Sequence, residues 1–145
     1  MKKFNFVLVV LFVLTQMSWA ARIDMVGGLR DGMALGIQSK QPLNDKWSWR
    51  YGVEGTTGED MSFYNINPFI LFAGVSVPIM QLGWSPTELG INLVAENGAL
   101  TEIGGGLSLI MNNIYNQKAL SLELGIDYVR YHGHILAQVG YALVP

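Results

Sequence analysis

The chain has 145 residues, no cysteine, 17 glycines, 50% hydrophobic and 14% charged residues, and a formal charge of -2. Apolar content this high with so little charge excludes a disordered chain. The missing thiol excludes disulfide scaffolds, zinc ribbons and cysteine nucleophiles, and the mild acidity argues against nucleic acid, which binds basic faces.

The first element is an export segment. Lys2 and Lys3 form a positive start, Phe6 to Leu14 is an unbroken apolar run, and Ser18-Trp19-Ala20 puts small residues three and one before a cleavage point. The run is too short for a membrane-spanning helix, which needs about 20 apolar residues. Residues 1–20 are therefore expected to be a cleaved signal peptide and 21–145 one β-barrel domain. Removing them takes two lysines and no acid, so the formal charge falls from -2 to -4.

After Ala21 the apolar residues recur with period two. Trp47-Ser48-Trp49-Arg50-Tyr51-Gly52-Val53-Glu54 alternates four large side chains with Ser, Arg, Gly and Glu. The phase returns in Leu89, Ile91 and Leu93, in Leu107, Leu109 and Met111, in Leu120 to Tyr128, and in Ile135 to Leu143. Eight strands follow, at about 22–29, 33–43, 47–56, 68–79, 87–96, 99–112, 118–129 and 134–144.

The turns test that phase. Arg30-Asp31-Gly32 as a three-residue loop pairs Leu29 with Met33, with Gly32 at the positive-φ position. Asn44-Asp45-Lys46 pairs Leu43 with Trp47. A loop of Glu96-Asn97-Gly98 keeps the faces consistent and pairs Ile91 with Ile103 and Leu89 with Gly105. Pro78 is expected to end strand four near a turn through Gln81, Gly83 and Ser85. The uncharged stretch Met61 to Thr87 is no membrane helix, because Pro68, Pro78 and Pro86 interrupt it.

One face carries Trp47, Trp49, Tyr51, Leu89, Ile91, Leu107, Leu120 and Tyr141; the other carries mostly Gly, Ser, Ala, Asn and a few acids. The second face is too small and too sparsely charged for a solvated surface, but suits the interior of a narrow eight-stranded barrel, which side chains just fill. The first face then meets lipid. Trp47, Trp49, Trp84 and Tyr115 lie towards one end, with Tyr64, Tyr128 and Tyr131 towards the other; with Tyr141 they form the expected aromatic girdle.

With signal peptide, strand count, alternation and connection pattern in hand, the whole mature chain resembles the small eight-stranded outer-membrane β-barrel proteins of Gram-negative envelopes, the class of the OmpA transmembrane domain and OmpX. The resemblance implies an all-β, antiparallel, up-and-down transmembrane barrel, with outer-membrane lipid and the barrel assembly machinery as partners. Proteins of this class usually end in an aromatic residue; this chain ends Tyr141-Ala142-Leu143-Val144-Pro145, where Gly140, Tyr141 and Leu143 match part of that signal.

Inside the expected lumen, Lys40 and Arg50 oppose each other, and two adjacent cations demand counter-charges. Glu123 across the lumen and Glu88 near the same end are the available partners. Glu54, Glu102 and Asp127 point inward at the surface-loop end, where the inward cations are restricted to visits by Arg30 or Arg130. Their sharper reading is a weak divalent-cation site of oxygen ligands; the plainer one is a wet rim of ordinary carboxylates. His132 and His134 lie by the last loop, two metal ligands without a third, and Ser62 reaches the same rim without a motif joining it to His132.

The expected role is a non-enzymatic outer-membrane barrel, structural or interactive, with a plugged, non-conducting lumen and no cofactor. The loop at about Thr57 to Asn67 is the expected contact for an unidentified extracellular partner. The alternatives are a secreted or periplasmic soluble barrel, with its faces reversed to bind a small apolar ligand, and a lipid-modifying membrane enzyme.

Overall fold

The computed structural model describes residues 22–57, 69–97, 101–129 and 131–144. The expected signal peptide, Arg130, Pro145, Ser62, Tyr64 and most of the Thr57 to Asn67 loop lie outside that set. The described residues form eight antiparallel strands: β1 (Arg22–Arg30), β2 (Met33–Pro42), β3 (Ser48–Thr56), β4 (Phe69–Leu82), β5 (Ser85–Asn97), β6 (Thr101–Asn112), β7 (Leu120–Val129) and β8 (His132–Val144). A single 3₁₀ turn, Ile114–Asn116, joins β6 to β7. Each strand pairs with the next and β8 returns to β1, so the sheet closes as an up-and-down barrel. Closure gives every strand two neighbours and removes the long edge that an open sheet would expose.

Local chemistry sets the turns. Leu29 faces Met33 across a loop in which Asp31 and Gly32 have φ of 49° and 99°, conformations that Asp tolerates and Gly adopts freely. In the next turn the Asn44 side-chain oxygen accepts the backbone N–H of Lys46 and Trp47, and Trp47 O accepts Leu43 N–H, which fixes Leu43 opposite Trp47.

Two sequence expectations are corrected. The β5–β6 register pairs Asn97 with Thr101, Ile91 with Leu107 and Leu89 with Leu109, four residues away from the expected pairing. A shift of four preserves both faces, so parity cannot distinguish the two registers. The observed one lengthens the ladder and sets the small Gly104 and Gly105 against Val94 and Leu93. Strand four also does not stop at Pro78: β4 runs on to Leu82, with a register shift between Pro78 and Met80. Proline lacks an N–H, and a bulge absorbs the lost ladder bond without ending the strand. The turn itself is Gly83-Trp84, with Gly83 at φ 60°.

Small inward residues make this narrow cylinder possible. A Cβ at Gly74 would stand 2.1 Å from the Ile91 carbonyl oxygen and 2.5 Å from Asn92 Oδ1, so any larger residue there collides with the neighbouring backbone. The lumen also holds an apolar layer of Ile70, Phe72, Val94 and Val129, all buried.

Candidate functional site: a charged lumen inside an apolar shell

Alternation sends the large apolar side chains outward. Leu35, Leu93, Ile103, Leu107, Ile126, Ile135 and Val139 are all more than half exposed. Among the described residues, the outward strand positions carry no charge; those with polar side chains, such as Ser39, Gln41, Thr87 and Thr101, are neutral. Tyr51 is outward by register yet only 9% exposed, because its hydroxyl reaches along the sheet to accept Gln41 Nε2 at 3.2 Å.

Aromatic rings cluster at the two rims. Trp47, Trp49, Trp84 and Tyr115 are exposed at the rim that carries the β2–β3, β4–β5 and β6–β7 connections, with Tyr141 on the same half. Tyr128 and Tyr131 are exposed at the opposite rim, beside the β7–β8 connection.

The charges point the other way and are paired. Lys40 and Arg50 sit side by side across β2 and β3, as the Asn44 turn requires. Lys40 Nζ pairs with Glu88, whose carboxylate also accepts Ser76 Oγ at 2.6 Å and Asn112 Nδ2 at 2.9 Å. Arg50 spans the lumen: its Nη1 and Nη2 donate to the two oxygens of Glu123 at 3.1 and 2.6 Å, and Nη2 also donates to Gln38 Oε1 at 2.9 Å. Ser108 Oγ donates to Glu123 at 2.6 Å. Near the terminal rim, Arg22 Nε donates to both oxygens of Asp24, at 2.7 and 3.0 Å.

The acids at the opposite end stand differently from the cation-site reading. Arg30 turns into the barrel, 2% exposed, and donates from Nε to Asp127 at 2.6 Å and from Nη1 to Glu54 at 2.7 Å. Gln138 Nε2 donates to the second Glu54 oxygen at 2.6 Å. A guanidinium therefore occupies the position a divalent ion would need between Glu54 and Asp127, and its fixed charge offsets one of the two carboxylates. Glu102 lies opposite Glu96 in the β5–β6 register. Among the described residues no cluster of three His, Asp or Glu has metal-binding geometry.

Phe72 lies between the two arginines, its ring centroid 4.6 Å from Arg30 Cζ and 5.8 Å from Arg50 Cζ. An aromatic face against two buried guanidinium groups offsets part of their desolvation. At the rim, His134 Nδ1 meets Asp31 at 3.0 Å, while His132 is exposed. Thr56 Oγ1 donates to the carbonyl oxygens of Arg30 and Asp31, which ties the β1–β2 turn to β3 and holds Arg30 in place.

Parity and the turns make Lys40, Arg50, Glu88 and Glu123 legible in the sequence. Arg30, Phe72, Gln38 and Gln138 join them only in the folded barrel, although the same alternation that sends Asp24 and Val26 inward reaches Arg30 in phase. No family model, curated protein or solved structure matches this chain. The functional reading rests on its own geometry.

Proposed function

We propose that this protein is a small outer-membrane β-barrel, exported through the cleaved segment 1–20, with a structural or surface-interaction role rather than a catalytic one. The observation that carries the reading is the uncharged, large-residue outward shell bounded by aromatic rings at both rims. In water such a shell would exceed by far the apolar patch of about 300–600 Å² that a typical soluble monomer exposes. In a bilayer it is the expected surface, and aromatic rings at its two ends match the two interfaces. Strands of 9 to 14 residues suffice to cross when tilted, since about 9–11 are needed.

The lumen supports a plugged barrel. Ion pairs join β1 to β3 and β7, β3 to β7, and β2 to β5, filling the interior with side chains that hold the wall together. Eight strands leave an interior that side chains fill, without a wide aqueous channel. On this reading the partners are membrane lipid, the assembly machinery that inserts such barrels, and whatever the β3–β4 loop meets outside.

The test is cell fractionation joined to heat-modifiable gel mobility of the extracted chain. The proposal expects outer-membrane recovery, detergent dependence, and a folded band that shifts on boiling. A chain that remains monomeric in detergent-free buffer overturns it.

A further inference from the structure

Asn92 points inward from the middle of β5 and is 3% exposed, yet neither its Nδ2 nor its Oδ1 has a hydrogen-bond partner among the described residues. A primary amide carries two donors and an acceptor, and buried groups of this kind are almost always paired. Two further buried atoms share that condition in the outer charge layer. Asp127, 2% exposed, receives Arg30 Nε on Oδ2 and leaves Oδ1 without a partner; Arg30, also 2% exposed, leaves Nη2 without one.

The barrel register brings Asn92 beside that layer. Asn92 pairs with Gly74 on β4 and with Gly106 on β6, and Gly106 pairs with Asp127 on β7. The preceding inward residue on β5 is Gly90, so glycines occupy the inward positions on three sides of Asn92. Asp127 Oδ1 overhangs Gly106, 1.9 Å from where a Cβ would stand there. Cβ positions directly opposite each other on neighbouring strands are about 4.5–5.5 Å apart, so this oxygen faces the Asn92 side chain across the width of a small molecule. Asn92 Oδ1 leans the other way, over Gly74, 2.5 Å from the Cβ position, and the amide does not close the gap itself.

We propose that this part of the lumen is a built-in water site, in which resident water joins the Asn92 amide to Asp127 Oδ1 and Arg30 Nη2. The mixture of donors and acceptors selects the ligand. A cation would lie beside the Arg30 guanidinium and an anion beside the Asp127 carboxylate, whereas water donates twice and accepts twice. A buried water typically makes about three hydrogen bonds to polar groups that have no other partner. The lumen of an eight-stranded barrel, just filled by side chains, leaves room for nothing larger. Below the site, both Glu123 oxygens already accept from Arg50, and Ser108 donates to one of them, so that pair is complete without the water. The inference needs only the closed barrel and does not depend on where the outward shell resides. It adds to the plugged lumen a hydrated layer between its two sets of ion pairs.

The experiment uses the native chain and Asn92→Leu, each folded in detergent micelles. Solution NMR of the isotope-labelled native protein reads magnetisation transfer from water to the Asn92 Nδ2 protons. Transfer of opposite sign in the laboratory and rotating frames, the signature of water held through molecular tumbling, is expected; its absence overturns the site. Asn92→Leu is similar in size but has no hydrogen-bonding side-chain atom. Losing a water partner, it should unfold at a lower urea concentration than the native chain. An amide that bound nothing would be a buried polar group whose removal is neutral or stabilising, so an unchanged or higher midpoint overturns the site as well. If Asn92→Leu gives no heat-modifiable band, the native spectrum decides alone, by the presence or absence of that transfer. A native chain that shows the transfer but does not float with vesicles keeps the water site and loses only the membrane reading.

Discussion

Replacing Glu123 by glutamine strips the carboxylate from the buried Arg50–Glu123 pair that spans the lumen from β3 to β7, while nearly conserving volume. Arg50 and Glu123 side chains are 3% and 8% exposed, so little water can take over the lost partner. The amide oxygen can keep one of the two guanidinium bonds but without a carboxylate's charge, and the NH₂ that replaces the other oxygen faces Nη1 or Nη2, donor against donor. Breaking a buried pair from one side costs about 3–5 kcal/mol, chiefly through the charge left behind. Gln38 still accepts from Arg50, and Glu88 and Asp24 share that half of the lumen, which places the expected loss near the lower end, about 3 kcal/mol. Arg50→Met should cost a similar amount by stranding Glu123. The double variant Arg50→Met with Glu123→Leu should cost clearly less than the two single losses together, with a coupling of about 2 kcal/mol. The assay is urea unfolding of each variant in phospholipid vesicles, followed by the fluorescence of Trp47, Trp49 and Trp84. A near-neutral Glu123→Gln, or strictly additive effects, would refute the claim that this pair is dry and mutually compensated.

Arg30→Gln should destabilise by about 3 kcal/mol, because Glu54 and Asp127 lose their shared cation; adding Glu54→Gln and Asp127→Asn to it should recover part of that loss in the same unfolding assay. Millimolar Ca²⁺ should leave the melting temperature of the native protein unchanged, since Arg30 fills the space between those carboxylates; a calcium-dependent rise would restore the cation-site reading. Gly74→Val should lose about 3 kcal/mol or fail to give a heat-modifiable band, because its side chain collides with the Ile91 carbonyl. His134→Ala should cost about 1 kcal/mol, the worth of its one hydrogen-bonded contact with Asp31.

Much of this architecture is written in period two. The alternation of Trp47 to Glu54 and Leu120 to Tyr128 assigns faces, and the Asp31-Gly32 and Asn44 turns lock neighbouring strands in phase, so the opposition of Lys40 and Arg50 follows without coordinates. What parity cannot see is any shift by an even number of residues. The β5–β6 pairing therefore differs by four although every face is right. Pro78 is ambiguous for a related reason: a missing N–H marks either a strand end or a bulge, and the partner strand decides which. Arg30 stands at the mouth of a tight turn, where long side chains ordinarily remain in water. Its inward course depends on carboxylates from β3 and β7 that only barrel closure brings together. Phe72 sits in a stretch of β4 where both faces are apolar, so composition alone could not assign it to the lumen.

The central claim, that the outward shell faces hydrocarbon, is tested most directly by the unfolding free energies of Leu93→Arg and Leu143→Arg in vesicles. Both side chains are exposed, 68% and 53%, but Leu93 stands well inside β5 and Leu143 at the end of β8. A bilayer makes the cost of arginine depend on depth, about 2–4 kcal/mol at the midplane and about 0–1 near an interface. The account predicts that ordering, with Leu93→Arg the costlier by at least about 2 kcal/mol. Two small and equal effects, as on a surface bathed in water, would contradict it.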